Sequence, residues 1–314
     1  MGEIIMIEAK IIADSMSPEG KRITTMQLTY PRFIHSEFMT HRVFSRNASS
    51  SRAIPIQKII DDIRANPAMP IHWGQNQPGM QADSEVSDMT KDGAKGLWLA
   101  AMESAISHAT VMAGMGIHKQ IVNRLLEPFH HIRVIVTGTE WENFFELRDH
   151  PDAQPEIREL AIQMRHAMDN SVIRLIGPGE WHLPFIHHTE LADQFFKIPS
   201  NVNMLPKISA ARCCRVSYLK HDGSLPNIDD DLALFQRLAG SVPLHASPLE
   251  HQATPDDYFN TSTKFTNVWQ NPKLHGNFSG WIQHRKLWER EMYENQNTVD
   301  VVGNLIGVNN GVNI

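Results

Sequence analysis

Cysteine is almost absent: Cys213 and Cys214, side by side, are the whole complement of a 314-residue chain. Adjacent thiols cannot build a disulfide framework, and two are too few for a multi-cysteine zinc knuckle. Long apolar runs are missing too. Nothing approaches the ~20 residues that span a bilayer. The opening MGEIIMIEAK carries Glu3 and no small-residue cleavage site behind an apolar stretch, and Met6 stands where myristoylation wants Ser or Thr. These absences point to a soluble, cytoplasmic protein with no membrane partner. Positive charge is in deficit, 29 Lys and Arg against 35 Asp and Glu, for a net charge of −6. That balance excludes a protein that coats nucleic acid by bulk electrostatics, so any phosphate must be held by a local cluster. Histidine is plentiful at 17, yet no HExxH and no regular His/Cys ligand spacing occurs, and no metal is expected.

What is present is enough to fold. A 41% hydrophobic content over this length supplies a real core for one large domain or two small ones. Residues 23–31, ITTMQLTYP, alternate as a strand stopped by Pro31. Phe33, Ile34, Phe38 and Phe44 follow at roughly helical spacing. Pro67 to Lys91 is rich in Pro, Gly, Gln, Asp and Ser and reads as a long loop or lid. An Ala-rich helix over 93–113 is broken by Gly114 and Gly116, and a second helix opens at Ile117 and ends near Pro128. HIRVIVTGT, 131–139, is a β-branched strand. A helical start at 142–148 and a Pro-bearing interruption lead to a second helix with Ile157, Leu160, Ala161, Met164 and Met168 on one face. ISAARCCRVSYLK, 208–220, reads as a strand, and DDDLALFQRLAGS, 229–241, as a helix with an acidic N-terminus. In PLHASPLEH, Ser247 is expected as an N-cap with Pro248 at the first helical position. GWIQHRKLWEREMYEN, 280–295, reads as a last helix, with a poorly packed tail beyond it.

Several segments carry chemistry. THRVFSRNASSSR, 40–52, combines arginines, serine hydroxyls and Asn47, the donor set of a phosphate and polar-ring cradle. A Ser-rich capping loop with solvated arginines fits the same composition. HKQIVNRLLEP and ENFFELRDH each add basic residues that, taken alone, also fit solvated helix faces. A His-Arg pair occurs twice, at 41–42 and at 284–285. Cys213 and Cys214 have no neighbouring base and suit a buried element better than nucleophilic catalysis.

Together these segments resemble the flavin-dependent thymidylate synthases. That family's Arg-His-Arg, seven residues, Ser signature is similar to Thr40-His41-Arg42 followed by Ser50, with Asn47 and Arg52. Its His-Glu-Thr-Pro-Phe-Glu-His flavin segment resembles His245 to His251, and its opening Ala-Arg-Val-Ser strand resembles ARCCRVSY. Its Arg-Glu-x-x-Arg helix is similar to Lys119 to Val122 closed by Asn123 or Arg124. Its Asn-Phe-Leu-x-Leu-Arg resembles Asn143 to Arg148, with Ala153 to Ile157 behind it. The order differs, because the flavin segment here follows the signature, and the resemblance therefore implies a circular permutation. Thr40, Ala48 and Ala53 depart from the signature, as do Thr137 and Thr139, which fall where the family offers Asn and Arg to the flavin.

The resemblance implies an α/β (α+β) fold, a central mixed or antiparallel sheet flanked by helices. It implies a single domain over 1–314, with the nucleotide signature and helices in 1–200 and the permuted flavin part and tail in 201–314. It implies methylation of dUMP to dTMP with FAD, NADPH and 5,10-methylenetetrahydrofolate in a homotetramer. The alternatives are a flavin- and folate-dependent pyrimidine nucleotide hydroxymethylase and a non-catalytic nucleotide-binding relative. By the same resemblance His41, Arg42, Ser50 and Arg148 are catalytic. Asn47, Ser50, Ser51, Arg52, Arg124 and Arg148 bind the nucleotide. The flavin falls to His41, Arg42, Asn143, His245, Ser247 and Glu250, with His284 and Arg285 as the echo of the first pair. No enzyme cysteine is needed.

Overall fold

The structure is a computed structural model, and it describes residues 7–186, 204–216, 227–239, 241, 244–261 and 266–292. Its centre is a five-stranded mixed sheet in the order β3-β4-β2-β1-β5, formed by β1 (Glu8–Met16), β2 (Arg22–Pro31), β3 (Ser45–Ala48), β4 (His131–Gly138) and β5 (Arg174–Leu175). Neighbours run antiparallel except β5, which lies parallel to β1. The sheet follows from alternation in β2 and β4. Met26, Leu28 and Tyr30 share one face with Ile132, Val134 and Val136, and all are buried in a single cluster. The opposite face carries Thr25 and Thr137, direct partners in register and both fully buried.

The apolar face is covered by α5 (Glu142–Arg148) and α6 (Pro155–Asp169). Helix α6 begins as its sequence dictates: the Gln154 side chain accepts the Ile157 N–H and Pro155 occupies the first turn. Ile157, Leu160, Ala161, Met164 and Met168, on one face at three- and four-residue spacing, are all buried. A large aliphatic side chain so buried contributes ~1.5–3 kcal/mol. A second cluster forms between α2 (Ile56–Ala65), α3 (Asp88–Gly114) and the segment from α4 (Lys119–Val122) to Phe129. A third joins α7 (Met204–Cys214) to α8 (Ile228–Ala239). The short strands β6 (Ala253–Pro255) and β9 (Trp281–Gln283) pair with each other, as do β7 (Tyr258–Thr261) and β8 (Thr266–Trp269), and a last helix covers 284–292.

Five local expectations are corrected. The aromatic spacing from Phe33 to Phe44 makes no continuous helix: a 3-10 turn and α1 (His35–Phe38) end before Ser45–Ala48 joins the open edge of β4 as β3. The aromatics instead pack on each other across the fold, with Phe38 and Phe44 both against Phe144. The helix opening at Ile117 lasts one turn, Lys119–Val122, and continues as 3-10 turns to Phe129. Residues 208–214 are helical, not a strand. Pro206, Ile208, Ser209, Ala210, Ala211, Cys213 and Cys214 are buried, on all sides of the helix, so the segment lacks the polar stripe that would have marked the period. Ser247 is not an N-cap; Ser247–Glu250 is a 3-10 turn preceded by Ala246 with no side-chain cap. Trp281–Gln283 is a strand, residues 284–292 are helical, and 293–295 lie outside the described residues. The 67–91 stretch is irregular but tied down: Gln75 N donates to Ser84 O at 2.7 Å and Val86 N to Trp73 O at 2.9 Å. The tail after Asn295 lies outside the described residues.

Candidate functional site

Three elements meet at the edge of the sheet. The turn after α1 carries His41, whose ring lies edge-on to Phe144 at 4.9 Å between centroids and nearly parallel to Phe44 at 6.2 Å. Its Nε2 accepts a hydrogen bond from Arg148 Nε at 3.0 Å. A guanidinium only donates, so Nε2 must present its lone pair and the proton of the neutral ring sits on Nδ1. Burial, with the charges of Arg148 and Arg46, lowers the His41 pKa and keeps the ring neutral. Arg148 also donates to Thr40 Oγ1 at 3.3 Å, and that hydroxyl donates to Glu37 O. Thr40, standing where the resemblance would put an arginine, thus anchors one. Arg46 closes the turn by donating to the Met39 and His41 carbonyls, each at 3.0 Å. Arg42 projects from this clamped turn and is exposed, as is Asn143 on α5.

Strand β3 joins the turn to the C-terminal part of the chain. Asn47 Nδ2 donates to Cys213 O at 2.8 Å, and Asn47 Oδ1 lies 3.5 Å from Ser247 Oγ as its acceptor. Ser45 Oγ donates to Asn277 Oδ1 and accepts from Gln283 Nε2, which also reaches Glu250 O. The signature strand and the 245–251 segment, 200 residues apart in sequence, are in contact. His245 itself is exposed, and its backbone N–H donates to Leu238 O.

The serine loop lies beyond β3. Its backbone is held by a row of side chains from α4 onward: Asn123 Nδ2 donates to Ser51 O at 2.7 Å and Ile54 O at 3.0 Å, and Lys119 Nζ to Ala53 O at 2.8 Å. Ser51 Oγ donates to Glu127 Oε1 at 2.6 Å, and the same oxygen accepts from Arg124 Nη1 at 2.9 Å and pairs with Arg32 Nη2 at 3.2 Å. Ser50 is half-buried and Arg52 exposed. Burial, and after it the Arg32 and Arg46 charges, push the His35 pKa down to about 4, against the opposite pull of Glu127.

The second His-Arg pair is used differently. His284 is buried against Phe235 and Trp181, and burial drives its pKa down to about 3. Arg285 is engaged by Glu250 and, at 2.7 Å, by Glu289. His251 ends a buried chain across the polar face of the sheet. Ser15 Oγ, His182, Thr25 Oγ1, Thr137 Oγ1 and His251 Nδ1 follow each other at 2.9, 2.8, 2.7 and 2.8 Å. Thr137 is therefore committed inside the fold, and Thr139 Oγ1 accepts the Ser279 N–H. Neither cysteine is poised as a nucleophile: both are buried, and burial pushes the Cys214 thiol up to about 11 and Cys213 higher still.

Of the residues singled out in the sequence, the structure brings His41 to Arg148, Asn47 to Ser247, and Ser51 and Arg124 to a shared carboxylate; Arg32 and Glu127, which the sequence did not single out, join that last group. Lys119, Asn123 and Glu127 recur every four residues, the spacing of one α-helical face, although only Lys119–Val122 is α-helical and 3-10 turns carry the other two to the loop. Among the described residues no group of three or more His, Cys, Asp or Glu side chains could hold a metal, and no helix is long and apolar enough to cross a membrane.

No curated protein matches the sequence. Among solved structures, a UMP/dUMP methylase PolB from Streptomyces cacaoi bound with 5-Br UMP is similar at 18% identity and a TM-score of 0.45, over 53% of this chain and 90% of that one. The same methylase bound with 5-Br dUMP is similar at 21% identity and 0.41, over 48% and 68%. The sequence pattern described as thymidylate synthase complementing protein matches residues 16–172, which include β2, β3, β4, α5, α6 and the serine loop, and the chain belongs to that family.

Proposed function

We propose that this protein methylates dUMP at C5 to give dTMP, using 5,10-methylenetetrahydrofolate as carbon donor and FAD with NADPH as reductant. The observation that carries the reading is the convergence of Arg148 on His41 with that of Asn47 on Ser247. The contact of Asn47 with Ser247, in the segment whose residues resemble the flavin motif, supports reading the two as one site. In this reading Ser50, Ser51, Arg52 and Arg124 hold the phosphate. Arg148 and Asn47 face the pyrimidine, where a fixed guanidinium offsets charge developing on the ring oxygens. His41, a neutral acceptor, keeps Arg148 in one orientation and offers a ligand its Nδ1 proton.

The residues present fit a flavin in part. Arg42, Asn143 and His245 are exposed donors that an anionic or carbonyl-bearing ligand can reach, while Ser247 lies against Asn47 and Glu250 is engaged by Arg285. Thr137 and Thr139 are committed elsewhere, and His284 and Arg285 are occupied inside the fold. We therefore assign the flavin contact to His41 and Arg42. When bound, the flavin would supply hydride to the transferred carbon.

A homotetramer is part of the proposal. Leu97, Val111, Met115 and Ile121 are 74%, 61%, 73% and 53% exposed along α3 and α4, apolar surface suited to a second copy. The proposed circular permutation is supported by the packing of Ser247 on β3. The 208–214 helix lends it nothing, since the family motif there is a strand.

Purified protein should be yellow and should convert dUMP, in the presence of folate donor and NADPH, to a product one methyl group heavier by mass spectrometry. A product heavier by a hydroxymethyl group selects the hydroxymethylase. Failure to bind flavin added in excess overturns the proposal, and sedimentation as a monomer overturns the tetramer.

A further inference from the structure

The serine loop and its arginines already hold an anion, and it belongs to the protein. Glu127 Oε1 receives Ser51 Oγ at 2.6 Å, Arg124 Nη1 at 2.9 Å and Arg32 Nη2 at 3.2 Å, three donors converging on one oxygen as they would on an oxygen of a phosphate. Two guanidinium groups face one carboxylate, so positive charge is left over. The carboxylate is not what shapes the loop. Asn123 and Lys119 hold the Ser51, Ala53 and Ile54 carbonyls independently of it. Nor is it sealed in: the Glu127 side chain keeps 21% of its surface exposed and Arg124 keeps 54%.

We propose that Glu127 is an internal competitor for the anion cradle, a carboxylate that occupies the phosphate position and is displaced by the phosphate monoester of the substrate. The inference rests on the reading of this loop as the nucleotide phosphate site. Its consequence is specificity. A monoanion offers the arginines no more charge than Glu127 does, whereas a phosphate monoester brings nearly twice the charge and three acceptor oxygens, so it can win the exchange. Glu127 thus sets a threshold that weak anions do not cross.

The test is calorimetric titration of wild type, Glu127→Gln and Glu127→Asp with dUMP, deoxyuridine, inorganic phosphate and acetate. Removal of the competing charge should tighten dUMP and phosphate roughly tenfold, one charge-assisted contact's worth, admit acetate, and leave deoxyuridine unchanged. The aspartate variant, charged but too short to reach all three donors, should fall between. Weaker or unchanged phosphate binding in Glu127→Gln makes Glu127 a strut that positions the arginines and overturns the inference. If neither variant folds, the wild type decides: phosphate must shift the Nε–H resonances of Arg32 and Arg124, and unmoved resonances overturn the inference. Wild type that binds phosphate but not dUMP refutes the nucleotide reading and leaves the competitor standing.

Discussion

Two His-Arg pairs with the same sequence have opposite surroundings. His41 lies at the lip of the sheet edge, tied by one nitrogen to Arg148, and Arg42 beside it is exposed. His284 is enclosed by Phe235 and Trp181, and Arg285 is engaged by Glu250 and Glu289. The dipeptide does not decide the difference; the partners the fold delivers do. Among the described residues Arg42 meets no carboxylate and stays exposed, while the second pair is neutralised from within and contributes structure.

The largest test of that contrast is Arg148→Ala. On the proposed role of Arg148 at the pyrimidine, its loss should lower turnover by ~10²–10³, the scale of a lost donor to developing charge, whereas Arg285→Ala should change turnover by less than about threefold. A comparable fall in both would erase the distinction. Next is His284→Ala, which hollows out a buried aromatic contact and should cost ~2–4 kcal/mol in urea unfolding, with flavin affinity of the folded protein unaltered. A flavin defect there would move the cofactor to the second pair.

Acid sharpens the comparison further. The folded-state pKa of His284 is about 3, as it is for His182 and His251, well below that of an unfolded histidine. Above the unfolded pKa, ~6.5, both states are neutral and stability is intact. Below it the unfolded chain binds protons the fold refuses, so stability drops by ~1.4 kcal/mol per pH unit per histidine until the folded pKa is reached. Equilibrium unfolding from pH 6.5 to 4 should show this slope, and His284→Gln should flatten it by one histidine's share. An unchanged slope means the ring titrates in the native state. The smallest effect belongs to Arg42→Ala. It should weaken flavin about tenfold, ~1.4 kcal/mol, with the urea midpoint within the ~0.5 kcal/mol of ordinary surface substitutions. Undiminished flavin titration would remove Arg42 from the site.

Legibility in the sequence tracked how local each interaction is. Met26, Leu28 and Tyr30 alternate because one face of β2 is apolar, and Ile157 to Met168 recur at helical spacing because one side of α6 faces the sheet. The 208–214 helix left no trace, since its side chains are buried around the whole circumference. Strand β3 was invisible for a different reason: Ser45–Ala48 is extended only because β4 offers it an open edge. The site divides along the same line. His41, Ser51 and Arg148 sit in recognisable segments, while Arg32 and Glu127 were passed over. Each is unremarkable alone, and they meet only when the chain has closed.

The sequence by itself determined the strands that alternate, the helices that carry an apolar stripe, and the residue types able to bind a nucleotide. Periodicity and donor chemistry are properties of short segments. Only the tertiary structure decided which of two identical dipeptides stays open, and that Glu127 gathers Ser51, Arg124 and Arg32 on one oxygen. The availability of a charged side chain depends on what lies within a few ångströms of it, and residues far apart in sequence supply those neighbours.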